Sequence, residues 1–100
     1  MIKHIVSFNF IDGIADSKKR EISIQFKTRI EKLKDIIEGI NIINVVIDTL
    51  PTSNKEILLY SEFISEYALK EYQDHPFHQA IIKDFGSKYF KDRACIDYKF

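Results

Sequence analysis

The sequence predicts an α+β domain whose elements follow the order strand, helix, strand, strand, broken helix, strand. Three observations predict this order. Apolar residues alternate with a period of two near both ends of the chain and recur at intervals of three and four between residues 16 and 38, and residues 41 to 49 are rich in β-branched side chains. The 100 residues are predicted to form one domain spanning 1–100, because two separate cores would need a longer chain.

The first strand is predicted over residues 2 to 11. Its even-numbered residues form one largely apolar face, made of Ile2, His4, Val6, Phe8 and Phe10. Alternation of this kind, with β-branched and aromatic residues, is typical of a strand. Asp12 and Gly13 follow as a turn signal.

The first helix is predicted over residues 16 to 38. Apolar residues recur on one stripe of this helix, which comprises Ile22, Phe26, Ile30, Leu33, Ile37 and Ile40. Asp16 or Ser17 is expected to cap the amino end, and Gly39 fits the left-handed position just beyond the carboxyl end.

Two strands are predicted next, over residues 41–49 and 56–64, and their short connection makes them an antiparallel hairpin. Ser65 is expected to cap a second helical region, which Pro76 interrupts because proline removes a backbone donor. Gly86 is predicted to end this region, and residues 93–100 alternate again as a fourth strand.

The composition excludes several classes of function. Lys+Arg and Asp+Glu both total 15, so the chain lacks the basic surface of a nucleic-acid-binding protein. The single cysteine, Cys95, excludes an internal disulfide, and the histidine spacing is not that of a helical zinc motif, so neither a metal site nor a cofactor is predicted. Neither a signal peptide nor an apolar run of membrane-spanning length is evident, and we expect no membrane association and a cytoplasmic location.

The predicted strands carry apolar residues on both faces. Right-handed crossovers turn the βαββαβ order into a ferredoxin-like, four-stranded antiparallel sheet with both helical regions on one face. The other face would then leave several apolar side chains in water, because Ile42 alternates with Ile43 and Val45 with Val46 in one strand, and the next strand is apolar on both sides as well. We therefore predict a homodimer that pairs the uncovered sheet faces, and the alternative is that loops and polar side chains cover them.

Three short segments resemble a known family. An opening Ile2-Lys3-His4-Ile5-Val6, a Tyr72-x-x-His75-Pro76-x-His78 in the second helical region and a closing Asp97-Tyr98 are similar to the stress-responsive A/B barrel (Dabb) domain, and the resemblance spans essentially the whole chain. It implies a ferredoxin-like subunit whose two sheets form an α/β barrel across a dimer. Many members of the family have no assigned activity, and some are abundant stress proteins.

The resemblance also implies candidate catalytic residues. One subgroup contains a polyketide cyclase that closes a ring by aldol condensation, and its catalytic tyrosine and histidine correspond to Tyr72 and His78. Such chemistry needs a base near neutral pH and a donor for the enolate oxygen, which imidazole and phenol can supply. The residues expected to surround the same pocket are His4, Val6, Phe8, Phe26, Ile30, Leu33 and His75.

Alternative interpretations of these residues stay open. Tyr72, His78 and His4 can each be packed core residues with satisfied hydrogen bonds, and His75 can bond to backbone at the helix break. Arg29, Arg93 and Cys95 stand where an aromatic or apolar pocket wall would be expected in the cyclase. Three functions are therefore considered: a dimer that binds a small hydrophobic molecule, a cyclase-, lyase- or isomerase-type enzyme, and a structural stress protein.

Overall fold

The computed structural model describes residues 1–100 and consists of a four-stranded antiparallel sheet with three helices on one face. The strands are β1 (Ile2–Phe10), β2 (Ile40–Val46), β3 (Ile57–Phe63) and β4 (Phe90–Lys99), and the helices are α1 (Asp16–Lys32), α2 (Glu66–Asp74) and α3 (Pro76–Tyr89). The lateral order β2-β3-β1-β4 confirms the predicted ferredoxin-like topology. None of the helices combines the length and apolarity that crossing a bilayer requires.

The first helix begins at Asp16, as predicted, but its carboxyl end and its cap differ from the prediction. It ends at Lys32, and Leu33–Asp35 tighten into a 3-10 turn before the chain reaches β2. The predicted caps are wrong, because Ala15 occupies the cap position and no side chain bonds there. Asp16 instead places its negative charge in the first turn, where the helix dipole favours an anion.

Gly39 has the left-handed conformation that the sequence predicts, with φ of +87°, but it immediately precedes β2 rather than following the end of α1. A β-carbon added there would lie 2.6 Å from Cβ of Ala68, at the start of α2. Both the backbone conformation and the close approach of α2 therefore require glycine at this position.

The second helical region breaks at His75, as Pro76 predicts. The backbone N–H of Ala68 donates to Oγ of Ser65 at 3.0 Å, which confirms the predicted cap of α2. At Gly86, where the sequence predicts the end of this region, φ is −21° and ψ is −119°, so regular helical geometry breaks there and a short helical segment continues to Tyr89. Glycine tolerates such backbone angles because it has no Cβ.

The strand register divides the side chains of the sheet between two faces. The face that bears the helices carries the core, including Val6, Val45, Leu59 and Phe63. The other face, called the open face below, is made of Lys3, Ile5, Ser7, Ile42, Asn44, Val46, Leu58, Tyr60, Glu62, Ala94, Ile96 and Tyr98. Ile42, Ile96 and Tyr98 are among the exposed large apolar residues of the chain.

Candidate functional site

An apolar cavity of about 340 Å³ lies between the sheet and the helices. Its apolar wall comes from β1, α1, β3, α3 and the start of β4, and consists of Val6, Phe8, Phe26, Ile30, Leu59, Ile82 and Phe90. Polar groups of His4, Gln73, His78, Ser87, Lys91 and Arg93 complete the lining, with Gly86 beside them. A mainly apolar wall with a few polar groups is the usual character of a small-molecule site.

Five of the seven predicted pocket residues line this cavity, namely His4, Val6, Phe8, Phe26 and Ile30. The structure places Leu33 elsewhere, in the buried core at the 3-10 turn, because the change of helical pitch after Lys32 rotates it away from the cavity. It also places His75 elsewhere, at the amino end of α3. There the Phe77 N–H donates to Nδ1 of His75 at 3.1 Å, so this imidazole acts as a helix cap.

The predicted catalytic pair is brought together. The ring of Tyr72 lies 4.4 Å from the ring of His78 and 6.3 Å from that of His4, measured between centroids. Both histidines line the cavity, whereas Tyr72 lies behind them and is completely buried. The fold therefore gathers His4, Tyr72 and His78 from β1, α2 and α3 into one cluster.

The hydroxyl of Tyr72 is buried and has no hydrogen-bond partner among the protein's atoms. Burial raises the pKa of Tyr72 well above its ordinary value, so the phenol stays protonated at neutral pH. A protonated phenol is a hydrogen-bond donor. Because a buried donor without a partner costs free energy, this hydroxyl is the group in the cluster that structural stability does not explain.

His78 is neutral and has a defined tautomer. Its Nδ1 lies 3.2 Å from the backbone carbonyl oxygen of Gln73, which can only accept, so Nδ1 carries the hydrogen. Burial is the main cause that lowers the pKa of His78 below 6.5, against an opposing contribution from the Gln73 carbonyl. The Nε2 atom of this neutral imidazole is therefore free to accept a proton at neutral pH.

His4 is oriented by a carboxylate across the β1–β4 pair. Its ring is only 3% exposed, and Nδ1 donates to Oδ1 of Asp97 at 2.5 Å. An ionised carboxylate can only accept, which fixes a hydrogen on Nδ1 and orients the ring of His4. The register pairs His4 with Asp97 directly, which gives a structural reason for the closing Asp97-Tyr98 of the sequence.

Several lining residues were not predicted. Alternation placed Leu59 on the same face of its strand as Ile57 and Phe63, so the pattern contained a signal for it. No local pattern distinguishes Gln73, Ser87 or Lys91 from ordinary surface residues, since only the packing of α3 against β1 brings them to the cavity.

A family model described as the Stress Responsive A/B Barrel Domain matches residues 2–100. The chain belongs to the Dabb family. No protein with a curated description matches the chain in sequence.

Solved structures of Dabb-like proteins share this fold. A dimeric protein of unknown function from Bacteroides fragilis is 36% identical, with a TM-score of 0.91 over 99% of this chain and 95% of that one. A Dabb protein from Mesorhizobium loti is 23% identical, with a TM-score of 0.76 over 98% and 94% of the two chains. A hydroxynitrile lyase from Passiflora edulis is 15% identical, with a TM-score of 0.77 over 97% and 90%. At the two lower identities the likeness concerns the fold alone.

Proposed function

We propose that this Dabb protein is a homodimer that binds a small hydrophobic molecule in the cavity between its sheet and helices. The observation that carries the proposal is the cavity itself, whose volume is about 340 Å³ and whose wall is mostly aliphatic and aromatic. The imidazoles of His4 and His78 supply polar contacts at one part of that wall, where they would orient a ligand that carries a carbonyl or hydroxyl group.

The open face supports the dimer. It carries aliphatic and aromatic residues on all four strands, among them Ile5, Leu58 and Ile96. Each large apolar side chain left in water forgoes about 1.5–3 kcal/mol of burial free energy. The similar proteins from Bacteroides fragilis, Thermobifida fusca and Jannaschia are described as dimeric, and pairing two open faces about a two-fold axis would remove this cost here.

A substitution that fills the cavity tests ligand binding. Ile82→Trp replaces an aliphatic side chain at the cavity wall with a bulky indole ring. Ile24→Trp makes the same change at a similarly exposed position of α1 outside the cavity. Wild type and both variants would be titrated with small aromatic carbonyl and polyketide-like compounds in a thermal-shift assay. We expect a bound compound to raise the Tm of wild type and of Ile24→Trp, and we expect the affinity of Ile82→Trp to be at least tenfold lower. Equal binding by the two variants, or no binding by wild type, would exclude the cavity as the site.

A second candidate function is acid–base catalysis on a carbonyl compound, such as cyclisation, lyase or isomerase chemistry. The observation that favours it is the unpartnered hydroxyl of Tyr72 beside the neutral imidazole of His78. His78 Nε2 would remove a proton next to the carbonyl. Tyr72 does not line the cavity, so the side chains in front of it would have to move for its hydroxyl to donate to the enolate oxygen. The Passiflora edulis protein of the same fold is a hydroxynitrile lyase, so this architecture can hold an enzyme.

Two variants separate binding from catalysis. We expect His78→Ala and Tyr72→Phe to retain cavity binding within a few-fold, while turnover of an active compound falls by 10²–10⁴. Turnover that is unchanged in both variants would exclude this pair as the catalytic groups.

The description of the family also suggests an association with stress. We propose that the amount of this protein rises under heat or oxidative stress in its source cells. Quantitative proteomics before and after the stress would test this, and a constant level would contradict it.

A further inference from the structure

The β1–β4 pairing brings together three side chains that lie far apart in sequence. His4 of β1 pairs with Asp97 of β4, and Cys95 lies beside Asp97 on the same face of that strand. Sγ of Cys95 is 3.8 Å from Nδ1 of His4 and 3.6 Å from Oδ1 of Asp97, and Nδ1 and Oδ1 are 2.5 Å apart. The three atoms therefore form a compact triangle of nitrogen, sulfur and oxygen.

This triangle is close to one face of a zinc coordination tetrahedron. With ordinary zinc bond lengths and tetrahedral angles, sulfur lies about 3.6 Å from nitrogen and about 3.6 Å from oxygen, and nitrogen lies about 3.4 Å from oxygen. The two edges that include Cys95 already agree with these values to about 0.2 Å. Only the His4–Asp97 edge is short, because a hydrogen atom now bridges it. It would have to open by about 0.9 Å when an ion replaces that hydrogen.

The site can make that adjustment. Asp97 lies on an edge strand with a side chain that is 42% exposed, so its carboxylate can move outward. His4 is held by the surrounding core, with the rings of Phe63 and Tyr72 edge-on to its imidazole. The exposed Cys95 and Asp97 leave the outer side of the triangle open to solvent, which gives an ion its entry path.

We propose that His4, Cys95 and Asp97 form a binding site for a divalent transition metal of the zinc type, with a fourth coordination position open to water or a small ligand. A nitrogen, sulfur and oxygen donor set favours zinc and its neighbours over magnesium or calcium, which prefer oxygen. Binding releases the thiol proton of Cys95 to solvent and leaves a thiolate. The thiolate and the Asp97 carboxylate then balance the ion's two positive charges, so the occupied site adds no net charge beside Arg93.

Metal binding would also change what His4 presents to the cavity. Without the ion, Nδ1 carries the hydrogen that bonds to Asp97, and in the neutral form of the ring Nε2 is then an acceptor. When the ion occupies Nδ1, the hydrogen of the neutral imidazole moves to Nε2, which becomes a donor. The metal would therefore alter which polar group of a cavity ligand His4 recognises, although metal binding itself does not depend on the proposed ligand.

Cobalt(II) is a direct probe of the site, since it binds as zinc does and reports sulfur ligation by a near-ultraviolet charge-transfer band. The chain has one cysteine, so this band can arise only from Cys95. We expect full-length protein under reducing conditions to show the band with one ion per chain, and zinc to abolish it by competition. Cys95→Ala should remove the band, and Asp97→Asn should weaken cobalt affinity at least tenfold. His75→Gln changes a histidine outside the site and should leave the affinity unchanged.

Two outcomes would overturn the proposal. One is the absence of the band in wild type at millimolar cobalt. The other is an affinity that is the same in wild type and Asp97→Asn, because the ion would then be bound by an exposed thiol alone. Asp97→Asn alters an exposed side chain and should keep the native circular dichroism spectrum, so its result stands even if a variant of buried His4 fails to fold. The Ile82→Trp test above is independent and shows separately whether the cavity binds a ligand.

Discussion

The unpartnered hydroxyl of Tyr72 predicts that removing it makes the protein more stable. Tyr72→Phe deletes one buried polar atom and keeps the aromatic ring, which packs 5.0 Å from the ring of Phe63 and 4.4 Å from that of His78. A buried donor without a partner costs about 1–3 kcal/mol, so the free energy of unfolding should rise by an amount in that range. For a domain of this size each 1 kcal/mol corresponds to a rise in Tm of about 4–8 °C.

Urea denaturation at one fixed protein concentration would measure the change, since dimerisation makes stability concentration-dependent. Tyr67→Phe is the matched control, because Tyr67 is 73% exposed and its hydroxyl is already in water. The control should change the free energy of unfolding by less than about 0.5 kcal/mol. A loss of 1 kcal/mol or more in Tyr72→Phe would refute the reasoning, because it would mean that the hydroxyl makes a stabilising hydrogen bond.

Two further predictions concern stability. Gly39→Ala and Gly13→Ala each add a β-carbon to a residue whose φ is +87°. At position 39 that β-carbon would lie 2.6 Å from Cβ of Ala68, whereas at position 13 nothing lies within 4 Å of it. Backbone strain should therefore lower the free energy of unfolding of both variants by about 1 kcal/mol, and the steric contact should lower that of Gly39→Ala clearly further. Equal decreases in urea denaturation would contradict the close packing of α2. The lowered pKa of His78 means that the unfolded chain binds a proton more readily than the folded one, so stability should fall as pH decreases through 6.5. His78→Gln should flatten this part of the pH profile, and an unchanged profile would contradict the burial of a neutral imidazole.

The periodic patterns predicted the elements of the fold well because burial follows those patterns directly. The stripe from Ile22 to Ile37 and the alternation in β1 both define core faces in the structure. Helix ends were less predictable: α1 ends at Lys32 without a strong stop signal, and helical structure resumes after the break at Gly86 and continues to Tyr89. Local patterns do not encode where an element stops when tertiary contacts decide it.

The residues of the candidate site also differ in how far the sequence alone could predict them. His4, Tyr72 and His78 could be proposed from the sequence because the family motif names them, and the structure gathers them around one cavity wall. The triangle of His4, Cys95 and Asp97 could not be proposed, since His4 is 91 residues from Cys95 and 93 from Asp97 in sequence. Only the register of β1 against β4 places the three side chains together, and no spacing rule along the chain contains that register.

We expect the stability of the sheet to depend most on the burial of its open face by a second copy of the chain. Sedimentation equilibrium at micromolar concentration tests it directly, on wild type and on Ile96→Lys, which places a charge on that face at the edge strand β4. Wild type should have twice the 11.8 kDa mass of one chain, and Ile96→Lys should dissociate toward the single-chain mass. Ile24→Lys, an exposed apolar position on α1, should remain a dimer. A wild-type protein that sediments as a folded single chain would contradict the claim.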